Sequence, residues 1–300
     1  MNNRSTLVAQ ARETIGRGSQ SFAMASKLFD RETRERAWLL YAWCRRCDDL
    51  ADGQALGHDM SVVADPAARL AEIRAKTAAA LAGDATGDSS FDALGLVARE
   101  CAIPRHMIDD HIAGFALDAE GWVPETEADL VQYCHHVAGV VGMMMAMVMG
   151  VAPDDEATLV RARDLGLAFQ LANIARDIGE DARNGRCYLP RAWLAGTGID
   201  RDRLLDPAHR PALAELARRL AGRAADYEES ARRGTAALPF RSAWAVLAAA
   251  GIYGDIARKV AAKGEAALDE RVYTTRREKL GWLFKSWRQA LNRRQYVPVS

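Results

Sequence analysis

Leu167-Ala168-Phe169-Gln170-Leu171-Ala172-Asn173-Ile174-Ala175-Arg176-Asp177-Ile178-Gly179-Glu180-Asp181 repeats its apolar residues at helical spacing and lacks the alternation of a strand. At about 100° per residue, Leu167, Leu171, Ile174 and Ile178 form one face. Gln170, Asn173, Asp177 and Asp181 form a stripe within about 80° that directly borders it. A polar stripe so placed is expected to look inward or into a cavity. Inward carboxylates without matching inward cations are costly to desolvate unless something positive arrives. Hard oxygen donors, mostly one per turn, suit Mg²⁺, which keeps waters and shares its remaining positions with phosphate oxygens.

A second stretch, Tyr41-Ala42-Trp43-Cys44-Arg45-Arg46-Cys47-Asp48-Asp49-Leu50-Ala51-Asp52, repeats the arrangement. Tyr41, Arg45, Asp48 and Asp52 fall within about 60° of one another on a helix. Like charges at this spacing destabilise a helix by a few tenths of a kcal/mol, so the pairing does not serve the helix itself. One such pair alone reads as solvated charge. Two pairs, each beside an apolar face and each with hydrogen-bonding companions, favour a metal and phosphate site.

The 300 residues are 49% hydrophobic and carry 40 Lys and Arg against 40 Asp and Glu, so no whole-molecule field attracts nucleic acid. Alanine, leucine and arginine dominate the periodic segments, which predicts an all-α fold, and no composition shift marks a linker, so residues 1–300 read as one domain. Helices are expected from Asp30 through Ala51, Pro66–Leu81, Asp92–Cys101, after Pro104 to Gly121, and from Thr126 through Met149. Further helices follow from Pro153 to Asp181, Pro211–Arg233, Ser242–Ala267 and Lys279–Asn292. Gly83–Ser90 reads as a flexible surface loop by composition.

Other chemistries are weaker. Five scattered cysteines make no disulfide framework and fit a reducing compartment, and Cys44-x-x-Cys47 lies inside a helix without a second pair. Neither His135 and His136 nor His106 and His111 make a same-face metal pair, and no phosphate-binding glycine motif occurs. The segment Met1–Gln20 lacks an apolar core and is not expected to be a signal peptide. The uncharged run Val137–Ala152 falls short of the roughly 20 residues of a membrane span and reads as a buried helix. Both readings fit a cytoplasmic protein.

Tyr41–Asp52 and Asn173–Asp181, followed by Gly185-Arg186-Cys187-Tyr188-Leu189-Pro190, resemble the two aspartate-rich signatures of the squalene and phytoene synthases. Tyr133-Cys134-His135-His136-Val137-Ala138-Gly139-Val140-Val141-Gly142 resembles the family's intervening helix, and the likeness runs from about Ser19 to Leu283. Trp43–Asp49, Arg271-Val272-Tyr273-Thr274-Thr275 and Lys279-Leu280 resemble the bacterial phytoene synthases in particular.

The resemblance implies packed helices around a central cavity, of the isoprenoid synthase type, and head-to-head coupling of two geranylgeranyl diphosphates to phytoene. It implies that Asp48, Asp52, Asp177 and Asp181 hold Mg²⁺, or Mn²⁺ in its place, with Asn173 as a further ligand and Gln170 in support. Arg45, Arg176 and Arg271 are expected at phosphate oxygens, as are Tyr253 and the Ser19, Ser21 and Phe22 segment. Arg176 stands about 100° from Asp177 and needs a bend or a neighbouring loop to reach phosphate. Tyr41, Tyr133 and Tyr188 match positions near the reacting centre, and no NADPH is expected.

Two alternatives to this function stay open: coupling of farnesyl diphosphate to squalene or dehydrosqualene, and a non-catalytic all-α assembly factor. Two segments also keep two readings each. The ridge Ala138, Gly142, Ala146 and Gly150 is either a close helix contact or a wall of a prenyl tunnel. Leu280, Leu283, Phe284, Trp287 and Leu291, flanked by basic residues, form either a packed terminal helix or a peripheral membrane contact.

Overall fold

The computed structural model describes residues 3–53 and 64–296. Its helices are α1 (Arg4–Gly18), α2 (Gln20–Ser26), α3 (Arg31–Asp52), α4 (Pro66–Ala82), α5 (Ser89–Glu100), α6 (Arg105–Ala119) and α7 (Glu127–Cys134). They continue as α8 (Val140–Val148), α9 (Glu156–Arg183), α10 (Arg191–Thr197), α11 (Arg210–Gly234), α12 (Phe240–Lys263) and α13 (Arg276–Leu291). No strand occurs among the described residues. The chain forms two compact units, Met1–Gly121 with Met143–Leu159, and Trp122–Gly142 with Val160–Ser300.

In the first unit α3 is the central rod. Asp30 caps it by accepting from the Thr33 N–H at 3.0 Å, and Gly53 ends it at φ 61°, a conformation that favours glycine. Its buried side holds Ala37, Leu39, Leu40, Trp43, Cys47 and Leu50. Helices α1 and α5 pack on it, and Arg4 ties all three by reaching Glu35 at 2.6 Å and Glu100 at 2.7 Å. A Cβ on Gly95 of α5 would lie 2.3 Å from the Ala80 carbonyl oxygen of α4, so that crossing requires glycine. The 83–88 loop is tied down, contrary to its flexible composition. Thr86 donates from its backbone and its hydroxyl to Asp92, and Arg46 holds Asp88 at 2.8 Å.

In the second unit α7 begins with the expected capping box between Thr126 and Asp129. It joins α8 through a π-helical turn at His135–Gly139, a local widening absent from the 3.6-residue pattern. Glu127–Val148 is therefore one helical run, long and apolar enough by length and composition to cross a membrane, with 44% of its most apolar stretch buried. The uncharged run Val137–Ala152, on which the length argument rests, covers only part of this helix, whose start matches the helix expected from Thr126. Close packing accounts for part of the small-residue ridge. A Cβ on Gly142 would lie 2.3 Å from the Ala162 oxygen, and one on Gly166 would lie 2.2 Å from the Ala138 oxygen.

Helices α11, α12 and α13 pack in succession, and α12 stops where Gly264 turns to φ 57° and a 3-10 turn, Gly264–Leu268, takes over. The expected helix to Ala267 therefore ends early. Sequence reading missed α1, α2 and α10. The first buries only Leu7, Ala11 and Ile15 in a polar segment, and the other two are seven residues each, too short for a periodic signal.

Candidate active site

In the first unit α3 carries Tyr41, Arg45, Asp48 and Asp52 as half-buried side chains. Arg45 lies 3.5 Å from Asp48 and 3.8 Å from the buried Asp49. Asp48 keeps 36% of its side chain exposed. Desolvation, opposed by Arg45 and reinforced by the charges of Asp52, Asp49 and Asp118, nonetheless pushes its carboxyl up to about 7. Burial also raises the Tyr41 phenol. Phe22 meets the Tyr41 ring edge-on at 5.6 Å, and the end of α1 passes close enough that a Cβ on Gly18 would lie 2.7 Å from Tyr41 Oη. The Ser19 hydroxyl accepts from the Phe22 N–H at 3.3 Å and so caps α2. The side chain of Ser21 lies outside the described residues.

In the second unit α9 presents Gln170, Asn173, Asp177 and Asp181, all half-buried, beside buried Leu167, Leu171, Ile174 and Ile178. The inward stripe expected from spacing is there. Arg176 folds along the helix and donates through Nε to Asp177 Oδ1 at 2.7 Å, with a second N–H on Oδ2. Its long side chain thus lies along the helix surface to the neighbouring carboxylate. Arg271 comes to the same carboxylate at 3.6 Å and to Glu180 at 3.4 Å. Asp181 is pushed up to about 7 by desolvation and the Asp177 charge, against the pull of Arg186. Tyr253 stacks on Phe169 with centroids 4.2 Å apart. Tyr133 is buried and stacks between Tyr188 at 5.0 Å and Trp122 at 5.6 Å.

Among the described residues, no three carboxylate, imidazole or thiolate groups gather into a metal cage. Burial pushes the Cys44 and Cys47 thiols up, which withholds thiolates from a metal. The donors that are present fit a hard divalent cation shared with phosphate. Each unit supplies a one-turn pair of carboxylates, too few to complete a shell, and each pair includes an acid short of positive charge. At Asp177 the Arg176 guanidinium already occupies the place of a cation.

The squalene/phytoene synthase family profile matches residues 15–278, which takes in both acidic stripes. The chain belongs to the squalene/phytoene synthase family. It is 47% identical to a 15-cis-phytoene synthase of Pantoea ananas over 98% of this chain and 95% of the relative. It is 48% identical to a 15-cis-phytoene synthase of Enterobacter agglomerans over 92% of this chain and 94% of that one. A dehydrosqualene synthase crystallised with a ligand superimposes with a TM-score of 0.83 at 26% identity, over 96% of this chain and 98% of that one. The fold is all-α of the isoprenoid synthase type, and the chain is a prenyl transferase. The squalene/phytoene synthases use prenyl diphosphates and generally depend on a divalent metal.

Four residues bearing on this squalene/phytoene synthase site escaped the sequence reading. Asp49 was accessible to it, since it stands one helical turn after Arg45 and 40° from it. Asp118 reaches Asp48 from α6, Glu180 engages Arg271, and Trp122 completes the ring stack. Those three contacts join distant segments, and no spacing within one helix encodes them.

Proposed function

We propose that this chain is a 15-cis-phytoene synthase of carotenoid biosynthesis. It couples two molecules of geranylgeranyl diphosphate head to head with Mg²⁺, or Mn²⁺ in its place, and needs no NADPH. The observation that carries the reading is the pair of acidic helical steps, Asp48 with Asp52 and Asp177 with Asp181, each half-buried beside an apolar face and each holding a carboxyl raised to about 7. Likeness over nearly the full chain to two bacterial 15-cis-phytoene synthases supports the choice of substrate. Residues 1–300 act as one catalytic domain. The same proposal puts the protein in the cytoplasm, in peripheral contact with the inner face of the membrane.

In this reading Asp48, Asp52, Asn173, Asp177 and Asp181 hold the metal ions, and Gln170 orients the second set. Bound metal supplies Lewis-acid neutralisation of the charge that develops on departing diphosphate. Arg45, Arg176 and Arg271 offer guanidinium N–H groups to phosphate oxygens, joined by Tyr253 and the Ser19–Phe22 segment. The rings of Tyr41, Tyr133 and Tyr188 present electron-rich faces to the allylic cation, and the apolar helix faces exclude water that would quench it. The cation is captured by the double bond of the second substrate, and loss of a first proton closes the cyclopropane ring to give a cyclopropyl diphosphate. A second ionisation, rearrangement and loss of one proton give phytoene, with both diphosphates released.

Incubation of the pure protein with Mg²⁺ and each prenyl diphosphate, followed by extraction and identification of the hydrocarbon, tests the reading. Phytoene from geranylgeranyl diphosphate without NADPH is expected. Faster coupling of farnesyl diphosphate, or hydrocarbon formed only with NADPH, would move the chain to the squalene branch.

A further inference from the structure

Helix α13 has one anchored side and one bare side. On the anchored side Ser286 and Ala290 are fully buried, and the Trp282 ring lies where a Cβ on Gly251 would intrude. Trp282 Nε1 donates to Asp255, and Trp244 Nε1 donates to the Leu283 carbonyl at 2.8 Å. Thr275 and Glu278 form a capping box, and Glu278 also takes Lys259. The helix is therefore fixed on the second unit by contacts that leave its other side free.

On the bare side Leu280, Phe284, Trp287 and Leu291 are exposed by 62%, 65%, 39% and 54%, and they lie within about 60° of one another along the helix. Tyr273, just ahead of the helix, is 70% exposed. Residues 276–296 contain seven Lys and Arg against the single acid Glu278, which faces Lys259 and its own cap. Arg276, Arg277, Arg288 and Arg294 are exposed and form no ion pair among the described residues. Arg277 and Arg288 fall within about 80° of Leu280 on one side of the stripe, and Arg276 within about 40° on the other.

We infer that this face of α13 docks flat on an anionic lipid bilayer, which deepens the membrane part of the proposed function and leaves its chemistry aside. The occupant follows from charge and shape together. An apolar stripe of Leu, Phe and Trp about 17 Å long, from Leu280 to Leu291, rimmed by unpaired arginines, matches an interface with apolar interior and anionic rim. Tyr273 and Trp287 belong to the residue types that favour the headgroup level. A second copy of the chain is disfavoured, because it would bring two surplus-positive faces together.

Co-sedimentation of the full chain with phosphatidylglycerol-containing vesicles, against phosphatidylcholine alone, tests the surface. The wild type is expected to sediment with the anionic vesicles, less at high salt, and weakly with the neutral ones. Leu280→Gln with Phe284→Gln should weaken partition by at least about tenfold. Each of Arg276→Gln, Arg277→Gln and Arg288→Gln should weaken it by about fivefold. Because these side chains are exposed, the thermal midpoint and turnover of detergent-dispersed substrate should stay at wild-type values. A wild type that remains in the supernatant, or an apolar double variant that binds as well as wild type, overturns the inference. So does a dimer that this double variant dissolves without any change in vesicle binding. Missing turnover in the wild type would count against the proposed chemistry alone, since vesicle binding is read separately.

Discussion

The two acidic steps share one spacing and differ in electrostatics. On α3, Asp48 has one guanidinium at 3.5 Å and carboxylates of Asp49, Asp52 and Asp118 as neighbours. On α9, Asp177 carries Arg176 in a two-point contact and Arg271 at 3.6 Å, and it is Asp181, one turn on, whose carboxyl is raised to about 7. The charge-starved acid is thus the first of its pair in one unit and the second in the other. An identical i, i+4 pattern says where carboxylates stand on a helix. What surrounds them sets how strongly each calls for a cation.

The largest effects should erase the difference. Asp48→Asn and Asp177→Asn should each lower turnover by at least about a hundredfold with helix content intact, since an amide cannot balance a metal's charge. Circular dichroism and product assay on both variants check this. Substantial activity in either would confine the chemistry to the other step.

Arginine variants should sharpen the contrast. Arg45 is the one cation within 4 Å of Asp48 among the described residues, whereas Asp177 has two. Arg45→Gln should therefore cost about a hundredfold in kcat/KM, and Arg271→Gln only about tenfold because Arg176 remains. Equal losses would mean that the local count of guanidinium groups does not matter.

The packing of the two units should prove alike where their electrostatics are not. Gly95→Ala drives a Cβ to 2.3 Å from the Ala80 oxygen, and Gly166→Ala drives one to 2.2 Å from the Ala138 oxygen. Each should destabilise by about 1–3 kcal/mol in urea unfolding. A neutral result at one site would show that its helices can separate at little cost.

The smallest effect is a pH trend. Asp48 and Asp181, raised to about 7 in the folded chain, bind more protons there than in the unfolded chain between about pH 4 and pH 7. The contribution of these two groups to stability therefore falls as pH rises through that window. In metal-free protein, Asp48→Asn and Asp181→Asn should each flatten the decline of thermal midpoint from pH 5 to pH 8, and divalent metal should restore the wild-type midpoint at pH 8. A decline of the same slope in both variants would refute the assigned acids.

The periodicity of 167–181 and 41–52 determined the all-α class, the two acidic stripes and their apolar flanks, because a helix of fixed pitch converts spacing directly into direction. Caps at Asp30 and Thr126 were legible for the same local reason. Other features lay beyond any window of sequence. The π turn at His135–Gly139 changes the register of its helix, and α1 is held by Arg4 against Glu35 and Glu100. Asp118, Arg271 and Trp122 come to their partners from other segments. The bare side of α13 was ambiguous in sequence, since an amphipathic pattern reads the same whether its apolar stripe meets protein or solvent. Tertiary packing on Ser286, Ala290 and Trp282 turned Leu280, Phe284 and Leu291 outward, because only the three-dimensional fold decides which side of a helix finds a neighbour.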